Sequence, residues 1–132
     1  MKLKVLNKKV DAFNLQELLV VMVIIGILVL IATPKLMNQV NRARHTEAKI
    51  QLGFIYGLQK DYFYLNSKYS NNLNDIDYEA PDNNPYYSYE IIEASKDSFK
   101  ARATANEDFD GDGNINVWEI DHEQKLTEIV KD

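Results

Sequence analysis

The chain has 132 residues and a net charge of −5, long enough for one domain of modest size, and its lack of cysteine excludes any disulfide staple. The charge is uneven: residues 1–12 carry four lysines against one aspartate, a net of +3, and the remainder carries 11 basic against 19 acidic residues, a net of −8. That acidic balance argues against direct nucleic-acid binding by a single subunit, and two histidines with no cysteine and no serine motif offer no catalytic set, so an enzyme is not expected.

The basic stretch 1–12 stands before an apolar run and should remain cytoplasmic, which puts the acidic remainder outside. From Leu18 to Pro34 there is no charge and almost every residue is apolar. At about 1.5 Å per residue, roughly 20 helical residues span a hydrocarbon core of about 30 Å. Glu17 sits inside the edge of this run, where an unpaired carboxylate costs roughly 2.5 kcal/mol or more. An ordinary secretory signal fits poorly, because the run is long and Ala32-Thr33-Pro34-Lys35 places a proline where a cleavage site should be. The small residue at a polar-to-apolar boundary is Ala12.

The stretch Ala12-Phe13-Asn14-Leu15-Gln16-Glu17-Leu18 resembles the processing site of type IV pilins and type II secretion pseudopilins. The resemblance implies cleavage between Ala12 and Phe13 by a prepilin peptidase, methylation of the new Phe13 amine, and the hallmark glutamate at Glu17. Gly26 and Pro34 fall where that family places a glycine and a kinking proline. Ala12 replaces the more usual glycine, Asn14 the frequent threonine, and the C-terminal disulfide of many pilins is impossible here. The physics agrees with the family. Glu17 of one subunit and the Phe13 amine of a neighbour are each costly alone in a low dielectric, and pairing offsets that cost and favours one stagger.

Beyond Pro34, which removes a helix hydrogen bond and should kink or locally melt the helix, the pattern becomes amphipathic. Leu36, Val40 and Ala43, then Ala48, Leu52, Ile55, Leu58, Tyr62 and Leu65, continue one face, giving a single helix over about residues 13–66. Phe54, Tyr56 and Phe63 lie off that face, towards neighbouring subunits or local core. Residues 67–85, rich in Asn, Asp and Pro, read as a loop pinned by Tyr69, Leu73, Ile76 and Tyr78. Residues 86–94 and 98–105 form one hairpin around Ser95-Lys96-Asp97, and residues 115–121 and 126–130 a second. The expected fold is α+β: a long N-terminal helix, its first half membrane-spanning, against an antiparallel sheet of three or four strands. Its parts are a leader (1–12), a transmembrane and filament-core helix (13–34), and the amphipathic helix half with a β-domain (35–132). The eight tyrosines and both histidines, His45 and His122, read as packing and surface residues.

Residues 108–119 fit the twelve-residue calcium-loop pattern. Asp108, Asp110 and Asp112 offer carboxylates at positions one, three and five, Gly113 permits the turn, Asn114 offers its carbonyl and Glu119 a bidentate carboxylate. Strands on either side replace the helices of an EF-hand, so the expectation is a Ca2+-binding turn between strands, with Glu119 the ligand most exposed to misdirection by its strand.

The leading reading is a structural subunit of a type IV pilus, inserted in the inner membrane and assembled by a membrane platform into a homo-oligomeric helical filament. A major-type pseudopilin of type II secretion is built alike. A membrane-tethered calcium module that never polymerises, and a soluble domain released by signal peptidase, are readings of other classes. Motility, adhesion, DNA uptake and secretion are not separated by sequence.

Overall fold

An apolar run has few side chains that can bond a backbone amide, and a helix satisfies its own. A computed structural model of the chain describes Ala12, residues 14–83 and residues 86–132, and places helix α1 at Leu15–Asn66. Asn14 caps its start: the side-chain Oδ1 accepts the Glu17 amide at 2.8 Å and the carbonyl accepts the Leu18 amide at 3.2 Å. The chain divides into two units between Asn38 and Gln39.

In the first unit the helix runs through Pro34 without a break. The Thr33 hydroxyl donates to the Val29 carbonyl at 2.7 Å, while the missing Pro34 amide leaves a carbonyl of the preceding turn without its usual donor. By length and apolarity this helix can cross a membrane, and none of its most apolar window is buried by the protein itself.

In the second unit α1 buries Ala48, Leu52, Ile55 and Gln59, one face at steps of four, three and four residues. Four strands follow: β1 (Tyr87–Ala94), β2 (Phe99–Ala105), β3 (Val117–Asp121) and β4 (Leu126–Val130). They form an antiparallel meander in the order β1-β2-β3-β4. The strict alternation of β2 sends Phe99, Ala101, Ala103 and Ala105 inward, and Trp118 and Ile120 extend the same face on β3. Three alanines at the sheet centre leave room for Leu52 and Ile55 of the helix. Fully burying a residue such as Leu52, Ile55 or Phe99 contributes about 1.5–3 kcal/mol. The expected α+β arrangement is therefore present, with four strands.

The segment after the helix is tied down in the way its composition suggests. Tyr69, Ile76 and Tyr78 are buried, and Leu73 packs on the same cluster. Residues Leu73–Ile76 form a single 3-10 turn capped by Asn72, whose Oδ1 accepts the Asn74 amide. Gln59, completely buried, donates from Nε2 to the Ser70 carbonyl at 2.7 Å and accepts the Ser70 amide at 3.0 Å.

Candidate assembly segment and acidic loop

Two regions carry the residues singled out above, one in each unit. In the first unit, Ala12 and Glu17 are exposed, and Asn14, standing where threonine is frequent in the resembling family, supplies the helix cap. The cap fixes Glu17 as the third residue of the helix, in its first turn, where an anion also complements the helix dipole. Among the described residues the Glu17 carboxylate takes no ionic partner. Phe13 and the basic leader, named for cleavage and methylation, lie outside the described residues. Gly26 has open space around it, and large apolar side chains from Leu18 to Ile31 stand exposed on every side of the helix.

In the second unit the turn between β2 and β3 is built by its own aspartates. Asp108 Oδ1 accepts the Gly111 amide at 2.7 Å and the Asp110 amide at 3.2 Å, and Oδ2 accepts the Gly113 amide at 2.7 Å. Asp110 accepts the Asp112 amide, and Asp112 accepts the Asn114 amide. This winding needs left-handed backbone at Gly111 (φ 79°) and Gly113 (φ 90°), which glycine adopts without penalty. The Gly113 amide above all, with those of Gly111 and Asp110, holds the Asp108 carboxyl below the usual carboxylate range. At Asp110 the Asp112 amide pulls the other way but is outweighed by desolvation and the charges of Asp112 and Asp132, so that carboxyl titrates above its ordinary value.

The carboxylates of Asp108, Asp110, Asp112 and Asp132 each present an oxygen within 4.8 Å of the others. Asp132 also accepts the Phe109 amide at 2.8 Å and the Asp110 amide at 3.0 Å. No spacing in the loop could have named it. The β3–β4 register pairs Val117 with Val130, so the chain after Val130 runs back past the residues before Val117 and delivers Asp132 to the turn.

Glu119 stands apart from this group. Trp118 and Ile120 face the core, so Glu119 projects from the opposite side of β3, where it accepts both Nε (2.9 Å) and a terminal nitrogen (2.6 Å) of Arg102, its partner on β2. Asn114 remains in the turn, its side-chain amide donating to Asp112. The neighbouring Asn116 is completely buried. It donates to Glu128 and to the Val130 carbonyl and accepts from the Tyr87 hydroxyl, clipping β1 and β4 to the end of the turn.

His45 departs from the surface position expected of it. It is half-buried, its ring 6.2 Å from that of Phe109 and 6.4 Å from that of Trp118, and its Nε2 is buried without a hydrogen bond. Beside it, Arg44 lies over Phe109 and Tyr86. The helix thus grips the acidic turn through Phe109.

Four hard carboxylate oxygens, three from the turn and one from Asp132 beyond β4, are a donor set for calcium rather than for zinc or copper, the rest of a six- to eight-oxygen shell coming from carbonyls or water. The loop residues fit such an ion. No other grouping of three or more acidic or histidine side chains with metal-binding spacing occurs among the described residues.

A family described as "Type IV minor pilin ComP, DNA uptake sequence receptor" matches residues 34–114. A relative, the "Type IV major pilin protein PilA" of Myxococcus xanthus, is 35% identical over 97 residues, which cover 74% of this chain and 44% of that protein. The chain therefore spans less than half the length of this relative.

Proposed function

The chain belongs to the type IV pilins, a structural and not an enzymatic family, and on that premise we propose that it is the subunit of a type IV pilus. It is cleaved between Ala12 and Phe13, methylated on the new amine, and polymerised through its N-terminal helix. The observation that carries this reading is Glu17, held in the first turn of α1 ahead of the exposed apolar stretch from Leu18 to Pro34, in which no other charge occurs. A carboxylate there is unfavourable in a bilayer or a filament core until a cation meets it, and the Phe13 amine of a neighbour is that cation. The subunit waits in the inner membrane with its leader cytoplasmic and then passes into the filament with the help of an assembly platform.

Glu17→Ala tests this directly. The variant should be made, inserted and cleaved, while filaments sheared from cells fall sharply. A tethered module that never polymerises predicts no change. The matched family and the Myxococcus xanthus relative are both described as type IV pilins, which favours a pilus over the pseudopilus of type II secretion. The DNA-receptor function of the matched family is not carried over, because the net charge of −8 after residue 12 repels phosphate. Failure of the purified chain to retard duplex DNA at low salt is the expected result.

We further propose that Asp108, Asp110, Asp112 and Asp132, with the Asn114 carbonyl, hold Ca2+. The convergence of four carboxylates from two segments supports it, since a divalent cation would relieve their mutual repulsion and clamp the end of a domain that has no disulfide. Isothermal titration with Ca2+ tests it: Asp132→Asn should weaken binding at least tenfold and Glu119→Gln should leave it intact.

A further inference from the structure

The second unit holds a cavity of about 530 Å3 between the end of α1, the segment that follows it and the β1–β2 turn. That volume lies in the range of about 300–1,000 Å3 usual for small-molecule sites. The cavity is separate from both the assembly segment and the acidic turn, and it is complete within one subunit. Ser67, left-handed at φ 57°, ends the helix and turns the chain so that Lys68 and Tyr69 enter the wall. Lys96 reaches the same cavity from the β1–β2 turn, 28 residues further along the chain.

The polar groups here are largely unspent. Lys68 and Lys96 are exposed, and neither takes an ionic partner among the described residues. The one carboxylate in the wall, Asp75, already accepts the Ser70 hydroxyl at 2.7 Å. Two free ammoniums against one engaged carboxylate stand out in a chain whose residues from Phe13 onward carry a net of −8. Tyr69 is only 7% exposed, and its hydroxyl accepts from Lys60 Nζ at 2.9 Å. An ammonium can only donate, so the phenol keeps its own proton, and no group among the described residues accepts it. Buried donors are normally matched. The exposed Asn71 side chain likewise takes no hydrogen-bond partner among the described residues.

This set of groups selects a ligand class. Two ammoniums call for an anion, bound by charge-assisted hydrogen bonds. The phenol and the amide call for hydroxyl or ring oxygens beside that anion. Tyr62 and Tyr69 bring aromatic surface, which suits the apolar C–H face of a ring. A bare ion would leave most of the volume empty, and an apolar ligand would leave the donors unmatched. A sugar acid carries carboxylate, hydroxyls and C–H face in one ring. We propose that this cavity binds an acidic saccharide, with a uronate carboxylate on Lys68 and Lys96 and ring hydroxyls on Tyr69 and Asn71.

Titration of the isotope-labelled full chain in mild detergent with tri-galacturonate tests the site, read by amide shifts and without Ca2+, which galacturonate itself binds. The shifts should centre on residues 66–71 and 95–96. Lys68→Gln and Lys96→Gln should each weaken binding about tenfold or more. Both lysines are exposed, so the amide spectrum away from the cavity should stay unchanged. Arg102→Gln, on the outer face of the sheet, should bind as the unmodified chain does. Maltotriose, which is neutral, should bind at least about tenfold more weakly. Equal affinity for maltotriose would overturn anion recognition. The same shifts from sodium phosphate at equal concentration would mean an adventitious ion only. Absence of shifts at about 10 mM tri-galacturonate, or unchanged binding by both lysine variants, would overturn the proposal. None of these results depends on filament assembly, so the pilus reading stands or falls separately.

Discussion

Replacing Gln59 with leucine should unfasten the segment that follows helix α1. Gln59 is completely buried and Ser70 is only 4% exposed. The side-chain amide makes both hydrogen bonds of the Ser70 backbone, at 2.7 and 3.0 Å. Ser70 in turn donates its hydroxyl to Asp75 and the Asn72 carbonyl and accepts the Asn72 amide, so the whole turn depends on that contact. Leucine fills a similar volume and opens no large cavity, which isolates the hydrogen-bond effect. Two buried backbone groups are left without partners, at about 1–3 kcal/mol each, and about 3 kcal/mol is the expected net loss. For a small domain that is a large share of the usual 5–15 kcal/mol. With a urea slope of about 1–1.5 kcal/mol per molar, the unfolding midpoint should drop by about 2–3 M. Trp118, the single tryptophan and 9% exposed, reports the transition by fluorescence with the chain held in mild detergent. A drop below about 0.5 M would refute the reasoning, since Ser70 would then be finding water in place of Gln59.

The remaining expectations concern charge, pH and the acidic turn. Millimolar Ca2+ should raise the thermal midpoint of the chain over the same sample in chelator, and Asp108→Asn should abolish the rise; an equal rise in that variant would remove Asp108 from the ligand set. Burial first, and then the charge of Glu47, pushes the Tyr78 phenol up to about 12. The neutral phenol is the form the fold prefers, so this contribution is complete below about pH 10, the unfolded value, and is lost as pH climbs towards 12. Tyr78→Phe should flatten the fall in urea midpoint across that window, and an unchanged slope would show that Tyr78 does not cause it. Asn116→Ala removes bonds to β1 and β4 at once and should cost about 2–4 kcal/mol, read from the same urea curves. Arg102→Ala, at a pair whose arginine is 37% exposed, should cost under about 1 kcal/mol, and a larger loss would mean the sheet depends on that pair.

Most of the fold was legible because it rests on periodicity. The buried triplet Ala48, Leu52 and Ile55, the alternation of β2 and the two hairpins all follow from local pattern. Beyond Ile55 the apolar pattern continues through Leu58, Tyr62 and Leu65, yet Leu65 is 85% exposed and the polar Gln59 takes the fully buried position. Hydropathy cannot foresee this, because Gln59 is buried to satisfy a backbone eleven residues away, and that need exists only once the chain has turned. The acidic turn shows the same division. Asp108, Asp110 and Asp112 were visible as a motif, but Asp132 arrives through strand register and Glu119 is removed by the two-residue alternation of β3. Nothing in the local pattern marks His45 for burial; it is half-buried because the turn sends Phe109 inward beside it.

The most direct test of the pilus reading is the mass and N-terminal sequence of the subunit recovered from sheared filaments. A chain beginning at Phe13 and one methyl group heavier than its sequence is the expected result. A chain in those filaments that begins at Met1, or beyond Pro34, would contradict cleavage after Ala12 and the pairing of Glu17 with a neighbour's Phe13 amine.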